Sequence, residues 1–110
     1  MNVLILGGAG FVGRHYTEYF LKKKANVEII DNIAPLSGGV HPKRWKSFNT
    51  YKFNRLFKFS KKDCRKFFNY KISKKYNLVI NLAAIVGGRD VIEYNSLAVA
   101  EDLEIYTAFW

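Results

Sequence analysis

The sequence predicts an α/β fold: the N-terminal half of a doubly wound parallel sheet, four strands alternating with helices. Three observations predict it. Short branched apolar runs alternate with polar or amphipathic stretches, the rhythm of parallel β-α-β units with right-handed crossovers. The first run, Val3-Leu4-Ile5-Leu6, passes directly into the glycine cluster Gly7-Gly8-Ala9-Gly10-Phe11-Val12-Gly13. Four strands with four connections, the last helix included, amount to about half of such a sheet. There are no internal repeats, low-complexity tracts or domain linkers, so 1–110 reads as one partial domain.

Asn2 to Leu6 is uninterrupted and branched, as a strand buried on both faces must be. Phe11 to Lys23 is predicted helical, with Phe11, Val12, Tyr16, Tyr19 and Phe20 at three- to four-residue spacing. Lys22, Lys23 and Lys24 close it, where cations meet the negative end of the helix dipole. Val27 to Ile30 is a second strand ending at Asp31. Pro35, Ser37-Gly38-Gly39 and Pro42 mark 33–51 as loop-rich. Leu56 to Phe59 is expected as a third strand. Asp63 to Tyr70 is expected as a short helix, with Asp63 placed to cap it. Leu78 to Leu82 is a fourth strand. Arg89 to Trp110 is expected as one long helix with Ile92, Val99, Leu103, Tyr106 and Trp110 along one face.

The glycine turn carries the chemistry. Gly7, Gly10 and Gly13 give G-x-x-G-x-x-G, and Gly8, Gly10 and Gly13 give the overlapping G-x-G-x-x-G. One glycine permits the tight turn out of the strand, a second lets backbone approach a pyrophosphate, and a third allows close packing of helix on sheet. The free N–H groups at the helix start near Phe11 would then face the phosphates. Placement after a buried strand and before a helix is the context a dinucleotide site requires. Asp31, eighteen residues beyond Gly13, is an independent check. A carboxylate there can accept both hydroxyls of the adenosine ribose and would repel a 2′-phosphate, which favours NAD over NADP. Arg14 reads as a solvated helix residue rather than a 2′-phosphate contact.

Composition bounds the alternatives. Apolar residues make up 49% of the chain, so it can bury a core. Cys64 is the only cysteine, which rules out an internal disulfide and fits a reducing compartment. No basic leader or small-residue cleavage site follows Met1, and no apolar run nears the roughly 20 residues of a membrane helix. A cytoplasmic setting is expected. His15, His41 and Cys64 lack metal-ligand spacing, so no metal site is expected. The net charge is +9, and between Lys43 and Lys75 only Asp63 opposes a run of Lys and Arg. Trp45, Phe48, Tyr51, Phe53, Phe57 and Phe59 interleave with these cations. A stand-alone module binding nucleic acid or another polyanion is the alternative this raises. The charges track no nucleic-acid module, and a Lys-rich solvated surface over core aromatics is the simpler reading.

Gly7 to Gly13, Asp31-Asn32, Asp63 and Asn81-Leu82-Ala83-Ala84 together resemble the extended short-chain dehydrogenase/reductase family, in its nucleotide-sugar epimerase/dehydratase branch. The resemblance covers essentially the whole chain, as that family's N-terminal portion, and implies a Rossmann fold with NAD as cofactor. It implies cofactor contacts from Gly7, Gly10, Phe11, Val12, Gly13, Asp31, Asn32, Asp63, Cys64, Leu82, Ala83 and Ala84. In particular it implies Asp63 at the adenine amino group, Cys64 near the ring, and 81–84 along the cofactor at the end of the fourth strand. The loop from Ile85 to Arg89 would face the sugar-nucleotide side. Leu6, Asn81 and Lys66 depart from residues common in the family, without removing an essential contact.

The same resemblance implies transient oxidation of a sugar carbon, with epimerisation, elimination or simple release following. It assigns proton transfer to a Tyr-x-x-x-Lys helix and a Ser or Thr after the fifth strand. Neither is expected within 1–110, so no catalytic residue is assigned and little or no activity is expected of this stretch alone. Tyr70-Lys71-Ile72-Ser73-Lys74 matches the string but precedes the fourth strand, and reads as coincidence. The expected partners are a nucleotide sugar in the intact enzyme and a second copy of the chain. Self-association would run through the last helix or through Leu78 to Leu82 as an apolar edge. A non-catalytic self-associating fragment therefore also stands as a reading.

Overall fold

The computed structural model describes residues 1–35, 37–47, 55–67, 75–85 and 89–110. Their elements run β1 (Asn2–Leu6), α1 (Phe11–Lys22), β2 (Asn26–Asp31), a 3-10 turn (Pro42–Arg44), β3 (Phe57–Lys61), α2 (Cys64–Phe67), β4 (Leu78–Asn81), α3 (Arg89–Tyr94) and α4 (Ser96–Phe109). The strands form a sheet in the order β3-β2-β1-β4, with every described pairing parallel. This is the N-terminal half of a Rossmann-like fold. The chain moves outward from β1 through β2 to β3, then crosses back to place β4 on the other side of β1. That reversal leaves a crevice beyond the carboxyl ends of β1 and β4, where open α/β sheets bind ligands.

Burial explains the composition of each strand. Val3, Leu4, Ile5 and Leu6 are all buried, because β1 is central and both its faces are covered. One face packs Val3, Ile5, Val27 and Ile29 against Ala9, Phe20, Leu21 and Trp45. The other packs Leu4, Leu6 and Ile30 against Cys64, with Tyr76, Ala83, Ile105 and Phe109 at its margin. Thus α1 lies on one side of the sheet, α2 and α4 on the other. β4 is an edge among the described strands, and its Leu78 and Val79 remain partly exposed.

A charged residue sits in the middle of this layer. Glu28, mid-strand in β2, is buried. It is neutralised by Lys58, its register partner on β3, at 2.8 Å, and accepts a hydrogen bond from the Tyr76 hydroxyl at 3.0 Å. Burial, and then the neighbouring carboxylate, push the Tyr76 hydroxyl above its ordinary range, which keeps it a donor.

Two expectations are corrected. The helix over 89–110 is two helices. The Asn95 side chain accepts from the Ala98 amide at 3.1 Å, so Asn95 caps α4 and breaks the run after Tyr94. The expected face of Ile92, Val99, Leu103, Tyr106 and Trp110 is exposed, and Ala98, Ile105 and Phe109 turn inward instead. The α1 face is also rotated. Gly13, Thr17, Phe20 and Leu21 are buried, while Phe11, Val12, Tyr16 and Tyr19 are exposed. The reason is the close approach at Gly13, where a Cβ would lie 2.6 Å from the Gly7 carbonyl oxygen. The smallest residue decides which side of the helix meets the glycine turn, and positions four, seven and eight residues on follow it inward. The buried Thr17 satisfies its hydroxyl within α1 by donating to the Gly13 carbonyl at 2.8 Å.

Strand boundaries shift by one or two residues. β3 begins at Phe57 rather than Leu56 and extends to Lys61, and β4 closes at Asn81. The predicted helix from Asp63 has its described part at Cys64–Phe67, and the remainder lies outside the described residues. Among the described residues no helix is long and apolar enough to cross a membrane.

Candidate functional site

At the carboxyl ends of the strands lies a cavity of about 890 Å³. All twelve residues expected at the site line it: Gly7, Gly10, Phe11, Val12 and Gly13 from the first turn, Asp31 and Asn32 from the end of β2, Asp63 and Cys64 at α2, and Leu82, Ala83 and Ala84 after β4. The topology brings these four segments together although 77 positions separate Gly7 from Ala84 (84 − 7).

The glycine turn separates into distinct jobs. Gly7 has φ +70°, the left-handed region where a side chain is strained, and a Cβ there would sit 2.6 Å from the Leu82 carbonyl and the Ala83 amide. Gly13 closes the turn on α1, as described. Gly8 backs onto β2, where a Cβ would meet the Ile29 side chain at 2.5 Å, and it does not line the cavity. Of the two overlapping spacings, Gly7, Gly10 and Gly13 therefore face the site. At Gly10 a Cβ would meet only the Gly7 carbonyl, at 3.3 Å. Absence of a side chain there leaves space rather than permitting a protein contact. Gly10 is also the N-cap of α1, without a capping side chain, so the first-turn amides of Phe11, Val12 and Gly13 lack an acceptor within the helix. Those amides and the positive end of the helix suit a pyrophosphate.

Asp31 ties the site together. One carboxylate oxygen accepts from the Ala9 amide at 3.0 Å and the other from the Ile33 amide at 2.8 Å. The Ala9 carbonyl in turn accepts from the Val40 amide at 3.0 Å. The glycine turn, the end of β2 and the loop through Val40 are thereby joined by one buried carboxylate. Each oxygen keeps acceptor capacity for a further donor. Ile33 is held at φ +53°, which costs a branched residue roughly 1–3 kcal/mol and is sustained here by Asp31 and core packing. Asn32 builds the next turn by accepting from the Ala34 amide at 3.0 Å.

The opposite wall is ionic. Asp63 caps α2, accepting from the Arg65 amide at 2.9 Å, and its oxygens also accept from the Arg65 guanidinium at 2.6 to 3.1 Å. The same guanidinium reaches Glu101 at 3.2 Å and Glu104 at 2.9 Å on α4. Hydrogen bonding from Arg65 holds the Asp63 carboxyl below its usual range against the opposing effect of burial. Burial pushes the Cys64 thiol upward, so it is a packed thiol rather than a thiolate. The loop after β4 is fixed by Asn81, which accepts from the Ala83 amide at 3.2 Å, and by Asp102 of α4, which accepts from the Ile85 amide at 2.9 Å.

Sequence reasoning missed Lys62, Glu101, Ile105 and the loop residues Ala34, Pro35, Ser37 and Gly38, all of which line the cavity, and Ile85, expected on the sugar-nucleotide side, lines it as well. Glu101 and Ile105 stand four apart, a helical signal, but on the face opposite the aromatic and aliphatic one that dominates the pattern. His15 lies edge-on to Phe11, and His41 accepts from the Lys43 amide and meets Phe59. Among the described residues no group of three metal-ligating side chains occurs. The described aromatics of the basic segment face inward: Trp45 is buried and donates to the Val40 carbonyl, and Phe57 and Phe59 pack on the core. Phe48, Tyr51, Phe53 and the Tyr70–Lys74 string lie outside the described residues, as do 86–88.

No curated protein matches the chain. Among solved structures it is similar to a dTDP-glucose 4,6-dehydratase from Streptomyces venezuelae with NAD bound, at TM-score 0.76 and 17% identity, over 98% of this chain and 34% of that one. It is similar to a UDP-Glc/GlcNAc 4-epimerase from Campylobacter jejuni at TM-score 0.76 and 23% identity, over 98% and 32%. It is also similar to a UDP-glucuronic acid 4-epimerase from Bacillus cereus in complex with NAD, at TM-score 0.56 and 27% identity, over 96% and 35%. The chain thus spans about a third of the length of each. The model of the NAD dependent epimerase/dehydratase family matches residues 3–108, and with a sheet, turn and cavity of that pattern the chain belongs to this family.

Proposed function

We propose that this chain is the NAD-binding segment of a nucleotide-sugar epimerase or dehydratase. The observation that carries the reading is the convergence of Gly7, Gly10, Gly13, Asp31, Asp63 and 82–84 on one cavity beside the uncapped start of α1. The amides of Phe11, Val12 and Gly13 would take the pyrophosphate, and the bare backbone at Gly10 would let it approach. Asp31 would accept the ribose hydroxyls, and its negative charge disfavours a 2′-phosphate. Asp63 would accept from the adenine amino group, with Cys64 against the ring. Leu82, Ala83 and Ala84 would lie along the cofactor and keep water from it. When bound, NAD supplies a hydride acceptor that is regenerated within the cycle. The residues here bind and orient. Proton transfer at the sugar belongs to a Ser or Thr and a Tyr-x-x-x-Lys pair that we place outside 1–110, so the stretch by itself is expected to be inactive.

The test is titration of the purified chain with NAD, NADP and single-stranded RNA at two salt concentrations. NAD binding that exceeds NADP binding, with little dependence on salt, supports the proposal. Salt-steep RNA binding without NAD binding replaces it with the polyanion module.

A second property has its own support. Val99, Leu103, Tyr106 and Trp110, at helical spacing along one face of α4, are exposed, and β4 presents a partly exposed edge. We propose self-association of the chain through one of these surfaces. Sedimentation showing a monomer at all concentrations would contradict it.

A further inference from the structure

Three acidic residues, Asp31, Asp63 and Glu101, line a cavity that the reading above fills with an anionic dinucleotide. Unrelieved, they would repel the pyrophosphate. Asp31 is met by backbone amides, whereas Asp63 and Glu101 share one cation, Arg65. Arg65 does more than neutralise. It grips both Asp63 oxygens through its guanidinium and one through its backbone amide, a fork that leaves the carboxylate a single orientation. Asp63 keeps 20% side-chain exposure and lines the cavity, and beside it stand the buried Cys64 and the apolar Ile105. A flat aromatic ring bearing an exocyclic amino group suits that corner: apolar atoms for its face, a fixed anionic acceptor for its N–H.

We infer that Arg65 is the positioning residue for base selection: by locking Asp63, with Glu101 beside it, it makes the cavity prefer a 6-amino purine over a 6-oxo purine. The inference rests on the NAD reading and deepens it. A 6-oxo base would set its carbonyl oxygen against the carboxylate and lose the donated hydrogen bond. Charge-assisted hydrogen bonds of this kind discriminate by roughly tenfold or more.

The experiment measures the affinity of the full chain for NAD and for its deaminated analogue, nicotinamide hypoxanthine dinucleotide, in the natural sequence, Arg65→Met and Arg65→Lys. The natural chain is expected to prefer NAD by roughly tenfold. In Arg65→Met the preference should fall to near unity, because NAD weakens while the deaminated analogue binds as before. Arg65→Lys keeps the charge but not the fork, so its preference should also shrink, and it carries the test if the methionine variant does not fold. A preference that survives both substitutions overturns the inference, as does an equal loss for both ligands, which is the mark of a merely structural ion pair. Equal binding of the two by the natural chain overturns it while leaving the NAD reading intact. Binding of neither overturns the NAD reading itself, and this inference with it.

Discussion

The glycine-turn wall of the cavity and the α4 wall face the same space but are built on opposite principles. The first is backbone. Gly7 and Gly13 are packed so closely that a methyl group has no room, and Asp31 is satisfied by main-chain amides. The second is side chain. α4 is held by Arg65, Asp102, and the apolar contacts of Ile105 and Phe109, and its outer face is exposed. A wall made of backbone tolerates no substitution at its contacts. A wall made of ion pairs tolerates many, because pairs near solvent are worth little individually.

Substitutions sharpen this contrast. Gly7→Ala adds a clash with the end of β4 to a left-handed φ, and Gly13→Ala wedges α1 off the turn. Each should cost about 3 kcal/mol or prevent folding, read by denaturant unfolding. Gly10→Ala is the counter-case on the same turn. Its Cβ meets little protein, so stability should change by less than about 1 kcal/mol while NAD affinity falls at least roughly tenfold. Equal stability losses at all three glycines would break the division of roles.

On the other wall the effects are smaller and depend on pH. Arg65 lowers the folded-state pKa of Asp63, so the stability it lends is present above the unfolded carboxylate value and is lost as pH falls through the lowered one. The stability gap between the natural chain and Arg65→Met should therefore be widest above the unfolded carboxylate pKa and close as pH falls through the lowered one. Coincident acid-unfolding curves would show that the pair contributes nothing. Lys24 at φ +57° ends α1, with Ala25 donating to the Phe20 carbonyl and Lys24 to that of Leu21, a helix stop that glycine suits better. Lys24→Gly should stabilise by roughly 0.5–1 kcal/mol in thermal or denaturant unfolding. The smallest change is expected for Leu103→Ser on the exposed face of α4, within about 0.5 kcal/mol, with any self-association weakened in sedimentation.

The same contrast explains what could be read in advance. Strands and the glycine turn were legible because two-sided burial demands unbroken branched runs, and close backbone contact admits only glycine. The face of α1 was not legible from apolar spacing, since the close contact at Gly13 outranked the aromatic stripe at Phe11, Tyr16 and Tyr19. The break at Asn95 was written as an Asn-Ser cap signal but lay inside a pattern that looked continuous. Arg65, Glu101 and Ile105 escaped notice because their importance depends on α2 and α4 meeting across 36 to 39 positions. No local spacing encodes that.

In the proposed function the glycine turn and the end of β4 together hold a dinucleotide. The most direct measurement is the perturbation of backbone amide NMR signals of the full chain on addition of NAD. The largest shifts are expected at Gly10, Phe11, Val12 and Gly13, with Ala83 and Ala84 next. Shifts confined to Lys43, Arg44 and Lys46, or no saturable shifts at all, would contradict it.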